Sequence, residues 1–295
     1  MKYFEKHPFV MIIVGVIGIS LSSIFVRYSP SPSTVTATWR LLWTVILMSP
    51  LVLGREASRQ ELTSAGIRTI FWCCMSGVFL AIHFALWFES LHHTTVASST
   101  TIVCTEVIWV SLGYWIFLKG TLSKKALLAI AATFGGSILI AYADSSSGNH
   151  LYGDILALLA AIAVALYMLI GQVMRQSLTT TVYTYLVYLA CSATLLTLCI
   201  IQQENLLSYG IAPVLIGVLL AVFSTILGHS VFSWCLKYFS PSFVSASKLC
   251  EPVVAAILAG ILFSEVPSPL QILGGITILC GVYYYSKIEH PHQSN

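Results

Sequence analysis

Six side chains that can carry charge stand inside otherwise apolar runs of this chain: Arg40, His83, Glu106, His229, Lys248 and Glu251. An unpaired charge at the centre of a hydrocarbon layer costs about 2.5–3.5 kcal/mol on insertion scales, so each must be protonated, paired or turned toward water. Glu106, in CTEVIWV, reads as a carboxylate that takes up a proton or binds a substrate amine. The other reading pairs it structurally with Arg40, whose long side chain reaches inward. Lys248 precedes Glu251 by three residues, which puts both on one side of a helix. They read as an inner-gate pair or an anchor for a substrate carboxylate, unless Lys248 snorkels to the membrane surface. His83 and His229 titrate near neutrality, which suits a gate or a proton relay and equally suits hydrogen bonding to nearby serines. Trp87 and Trp109, like Trp39, Trp43 and Trp234, are either core and interface residues or the walls of a cavity for a flat substrate. No GxSxG, HExxH, phosphate-binding loop or aspartate-rich metal pair occurs, and His92 and His93 have no recognisable set of ligands beside them. No cofactor and no metal is expected.

The elements that must position these groups follow from hydropathy. The sequence is 57% hydrophobic and only 8% charged over 295 residues, with a mean hydropathy of +0.88. That leaves too little polar surface to cover a soluble globule and predicts an all-α polytopic membrane protein. The eight cysteines lie in apolar runs and read as small core residues. Apolar segments at 8–26, 34–53, 67–88, 94–118, 126–142, 153–174, 182–201, 212–235, 242–264 and 269–286 each suit a hydrocarbon layer of about 30 Å, which predicts ten transmembrane helices. The polar stretch 144–150 divides them five and five, giving halves 1–147 and 148–295. With a cytoplasmic N-terminus, Lys2, Lys6, Arg55, Arg59, Arg68, Lys119, Lys124, Lys125, Arg175, Lys237 and Lys287 all fall inside, Arg27, Arg40 and Lys248 lie within or at the ends of spans, and the outer loops hold no other Lys or Arg. This bias fixes both termini in the cytoplasm.

A second pattern joins the halves at a constant separation of 146 residues: His229 answers His83, Ser245 answers Ser99, Cys250 answers Cys104, Val253 answers Val107 and Phe263 answers Phe117. An odd number of spans per half makes the second half enter from the opposite side. The repeat is therefore expected to be inverted, as in many alternating-access transporters. On the lengths of their spans, His83 is expected in the outer half of the membrane and His229 in the inner half.

Three stretches carry a resemblance to a known family. GDILALLAAIAVALYMLIGQVMR (153–175), the run from Gly228 through EPVVAAILAGILFSE to Val282, and AIHFALWFESLHHTTVASST (81–100) are similar to the EamA-type branch of the drug/metabolite transporter superfamily. The resemblance implies ten helices, both termini inside and passage of small metabolites through a central cavity between the halves. One departure stands out, because the family's proline after the first-repeat loop, matched in the second repeat by Pro252, is replaced here by Glu106.

The expected activity is secondary transport of a small amino acid, aromatic metabolite or organic cation across the cytoplasmic membrane, with export the expected direction and proton coupling open. The alternatives are an intramembrane enzyme using His and Glu, or a channel. Only three cationic side chains enter the spans, which argues against phosphate-bearing cargo. Expected partners are the small-molecule substrate, protons and membrane lipid, with no nucleic acid, in a monomer or homodimer.

Overall fold

The computed structural model describes residues 8–94, 96–119, 123–144, 151–263 and 268–289. The expected boundary at 147/148 and the basic residues Lys2 and Lys6 lie outside them. Most of the described residues are helical and none is in a strand.

Apolar composition makes helices here because hydrocarbon cannot satisfy backbone polar groups, so each segment must bond to itself. The first half contains α1 (Pro8–Arg27), α2 (Ser33–Leu53), α3 (Glu56–Ser64), α4 (Ile67–His93), α5 (Val96–Val103), α6 (Glu106–Phe117) and α7 (Lys124–Asp144). The second contains α8 (Leu151–Met174), α9 (Thr180–Ile201), α10 (Ala212–Leu219), α11 (Val231–Cys235), α12 (Pro241–Ser247), α13 (Glu251–Phe263) and α14 (Pro269–Glu289). Among the described residues, α1, α2, α4, α8, α9 and the continuous run Ala212–Cys235 are long and apolar enough to cross a membrane.

Four segments differ from the sequence expectation. The charged connector after α2 folds into the short helix α3. α4 continues to His93, five residues past its expected end, because Leu91 still packs on the core. The apolar segment 94–118 is divided at Cys104 and Thr105, where Thr105 N–H bonds to the Ile102 carbonyl and Ile108 N–H to that of Thr105, both three residues back. The segment 242–264 is divided likewise by a 3₁₀ turn at Lys248–Cys250. These two divisions fall at the same place in the 146-residue register. The first forms without the proline that the resemblance leads one to expect, since tight three-residue bonds suffice to end α5 and restart the chain as α6. Between α10 and α11 the helix is wound as a π-helix over Leu220–Ser230.

The packing repeats across the halves. α1 lies against the π segment and α4 against α8, while α2 pairs with α9 and α7 with α14. The first contact is close enough to require glycine. A Cβ on Gly18 would sit 2.6 Å from the Phe223 carbonyl oxygen, and one on Gly228 would meet Ile19 at 2.8 Å. α4 and α8 run antiparallel, as three contacts show: Thr94 donates to Asp154 at one end (3.0 Å), His83 meets the Ala160 carbonyl (3.1 Å), and Ser76 Oγ lies 3.4 Å from the Tyr167 carbonyl.

Loops gather at two ends. At one, Glu61 of α3 accepts hydrogen bonds from both the amide (2.5 Å) and the hydroxyl (2.7 Å) of Thr179, the residue that caps α9. Nearby, Arg175 is buried and donates to the Ser233 and Leu178 carbonyls. At the other end, Thr34 donates to Gln202 (2.7 Å) and the Trp39 indole to the Leu206 carbonyl (3.1 Å). Cys280 is exposed on α14, so it is not one of the core cysteines that the apolar runs suggest.

Candidate functional site

The two helix divisions meet. Cys104 Sγ lies 3.8 Å from the Lys248 carbonyl oxygen, so the ends of four half-helices converge at one point. Helix ends carry partial charges, positive at the N-terminus and negative at the C-terminus, worth about 0.3–1 kcal/mol to a matching side chain and up to ~2 kcal/mol when partly buried. The charges found here match. Glu106 opens α6, Glu251 opens α13, and Lys248 follows the last residue of α12.

Lys248 Nζ forms a salt bridge with Glu106 Oε1 at 3.0 Å, and both side chains are about 95% buried, at 6% and 4% exposure. The same oxygen accepts a hydrogen bond from Ser245 Oγ at 2.9 Å. Lys248 also lies 3.3 Å from the Met168 sulfur and 5.4 Å from the centre of the Phe232 ring. Its ammonium therefore has a carboxylate, a thioether and an aromatic face around it. Glu251 is buried as well, at 7% exposure, and its Oε1 accepts no hydrogen bond.

These groups border a small cavity. The first half supplies Ser22, His83, Trp87 and Glu106, and the second supplies His229, Lys248 and Glu251. The space open to a water-sized molecule is about 20 Å³, enough for a water by the roughly 10–15 Å³ such a site needs and too small for a metabolite. His83 holds the Ala160 carbonyl through Nδ1 and stacks on Trp87, with centroids 5.7 Å apart and planes at 19°. The His229 ring stands 6.3 Å from that of His83 and edge-on to Phe84 at 5.2 Å, and its Nδ1 makes no hydrogen bond.

Arg40 stands just behind the cavity wall. It is fully buried, donates from Nε to Thr225 (2.7 Å) and from Nη1 to Ser22 (3.0 Å), and lies over the Phe84 ring at 4.1 Å. Its Nη2 is without a partner. A desolvated cation over an aromatic face gains about 2 kcal/mol, which together with two hydroxyl acceptors accounts for an arginine with no bonded carboxylate.

The residues singled out from the sequence thus gather at one place, but with different partners. Glu106 pairs with Lys248, not Arg40. Lys248 neither snorkels to a surface nor pairs with Glu251; the Ser245 hydroxyl, one turn earlier, converges with it on Glu106 and leaves Glu251 Oε1 unengaged. The two histidines, expected in opposite halves of the membrane, stand with their rings only 6.3 Å apart at one cavity. Trp87 lines the cavity, while Trp109 packs against the core with its indole N–H unpartnered. Ser22, Met168 and Ser245 complete the site. Ser245 was marked by its register with Ser99 and Ser22 by its polarity inside an apolar run, whereas nothing distinguishes Met168 from any other core methionine.

Comparison with known proteins gives this architecture its family. The chain is 22% identical over 220 residues to an "Uncharacterized transporter" of Archaeoglobus fulgidus, a match covering 73% of this chain and 75% of the relative. A solved structure titled "Crystal structure of protein" superposes with a TM-score of 0.78 at 13% identity, covering 98% of this chain and 99% of the other, which shows a shared fold. The model of the EamA-like transporter family matches twice, over residues 8–142 and 151–287. With two copies of that repeat spanning nearly its whole length, the chain belongs to the EamA-like transporter family and is a multi-pass membrane transporter.

Proposed function

We propose that this protein is a secondary transporter that carries a small charged or polar metabolite by alternating access, with Glu106 and Lys248 as the groups that recognise it. One observation carries the reading: a buried ion pair, Lys248–Glu106 at 3.0 Å, joins the two halves beside a cavity that both halves line. A pair in that position is costly to bury and contributes little to stability over an apolar replacement. Its use lies in exchange, since an incoming ammonium can take Glu106 and an incoming carboxylate can take Lys248. Divided helices meeting where charges sit are the usual construction of transporter binding sites. The cavity is too small for cargo in this conformation, so cargo binding accompanies its expansion.

The repeated packing and the matched divisions support ten spans in two inverted halves, 1–147 and 148–295, and the basic residues support cytoplasmic termini in the inner membrane. Export is the direction we assign, and an amino acid, aromatic metabolite or organic cation is the cargo class. A thermal-shift screen of a metabolite library on purified protein, followed by counterflow of the hits in proteoliposomes, tests the reading. We expect the hits to stabilise the wild type and to lose that effect in Glu106→Gln and Lys248→Gln. Counterflow that proceeds unchanged in both variants would overturn it.

A further inference from the structure

Within this site Glu251 has no assigned task, and its surroundings are unusual for a carboxylate. It is 93% buried by its 7% exposure, and its Oε1 receives no hydrogen bond. The nearest cation, Lys248, is bonded elsewhere, to Glu106. The charged and titratable groups facing it can be named element by element: Lys248 from the 3₁₀ turn, Glu106 from α6, Arg40 from α2, Cys104 at the end of α5, His83 from α4 and His229 from the π segment. α1 brings only Ile19 and Ser22, which do not titrate. Arg40 is engaged by Ser22, Thr225 and Phe84, and Glu106 repels a second negative charge. The α13 N-terminus favours an anion, but by less than desolvation of a carboxylate costs.

We infer that Glu251 is the proton-binding site of the transport cycle, and that its carboxyl carries a proton in this conformation. This rests on the transporter reading for its place in a cycle, but not for the protonation itself. The proton enters as Oε–H on Glu251 when the cavity is open to water on one side. It stays while the cavity is dry, and it passes to water when opening on the other side hydrates the carboxylate. Glu106 is engaged instead by Lys248 and Ser245, which both bond to its Oε1. The sequence alone makes Glu106 the candidate for proton uptake; the geometry transfers that role to Glu251, about five-sixths of a helical turn after the lysine that leaves it unpaired.

Infrared difference spectroscopy of purified protein across a pH titration reads the carboxyl directly and needs no substrate. The expected result is a C=O stretch of a buried protonated carboxyl that is present in the wild type and in Glu106→Gln and lost in Glu251→Gln. Because glutamine imitates a neutral carboxyl, Glu251→Gln should melt at the wild-type temperature. Once a cargo is known, its flux in this variant should no longer respond to a pH gradient. A band that survives Glu251→Gln, or a melting temperature that falls as far in Glu251→Gln as in Glu106→Gln, would overturn the inference. A band that depends on Glu251 in a protein that moves no cargo would uphold the protonation and refute the transporter reading instead.

Discussion

Replacing Glu106 by glutamine removes one charge from the ion pair and leaves almost everything else in place. The amide still offers Ser245 an acceptor, so the hydroxyl at 2.9 Å keeps a partner. What changes is Lys248, whose ammonium stays buried, with 6% side-chain exposure, and loses its carboxylate. Breaking a buried pair from one side costs about 3–5 kcal/mol. The Met168 sulfur at 3.3 Å and the Phe232 ring at 5.4 Å already touch the ammonium in the wild type, so they offset none of it and a loss of about 3–5 kcal/mol is expected. Removing both charges, in Glu106→Gln with Lys248→Met, should recover most of this, since a pair replaced by well-packed neutral groups is often neutral or favourable. Unfolding of the two single variants and the double variant in mixed micelles closes the cycle. If the losses simply add, with a coupling below ~0.5 kcal/mol, Lys248 and Glu106 do not depend on each other and the site has been misread.

Three further outcomes follow from other contacts. Gly18→Ala should lower the melting temperature through ~1–3 kcal/mol of overpacking, because its Cβ would meet the Phe223 backbone oxygen at 2.6 Å, while Gly66→Ala, with nothing within 4 Å, should leave it unchanged. Glu61→Ala should cost about 1 kcal/mol and speed hydrogen exchange at the first amides of α9, since Thr179 loses both of its bonds to that carboxylate; unchanged exchange there would refute the cap. A cysteine placed by Ser58→Cys on α3 should react with an impermeant thiol reagent only from the cytoplasmic side, and labelling from outside intact cells would overturn the orientation assigned to the chain.

How much of this was legible beforehand depends on whether the cause was local. Helices followed directly from apolar composition, since lipid leaves the backbone no other partner, and the residues that gather at the site were recognisable because charge is costly in an apolar run. Which of them pair was not legible. Arg40 looked like the counterpart of Glu106, yet its needs are met by Thr225, Ser22 and the face of Phe84, none of which signals a cation partner in sequence. The end of α4 was not legible because tertiary packing carries the helix on to His93. The division after Cys104 was hidden by the missing proline, since three-residue bonds through Thr105 leave no mark in composition. The register of 146 residues did hold the clue, because it places Cys104 opposite Cys250, the last residue of the 3₁₀ turn.

That meeting point also has a mechanical meaning. α13 runs thirteen residues from its first residue Glu251 to Phe263, a rigid arm of about 20 Å at 1.5 Å per residue. Pivoted at its base, such an arm turns a tilt of about 10° into a swing of roughly 3 Å at the tip, while the charges beside the pivot barely move. α6, pivoted at Glu106, works in the same way with a slightly shorter arm. The chain can therefore make large displacements at the membrane surfaces while the distances among Glu106, Lys248 and Glu251 change by fractions of an ångström. In the alternating-access cycle proposed above, leverage of this kind would let the proposed binding groups keep their spacing as the walls around them open and close.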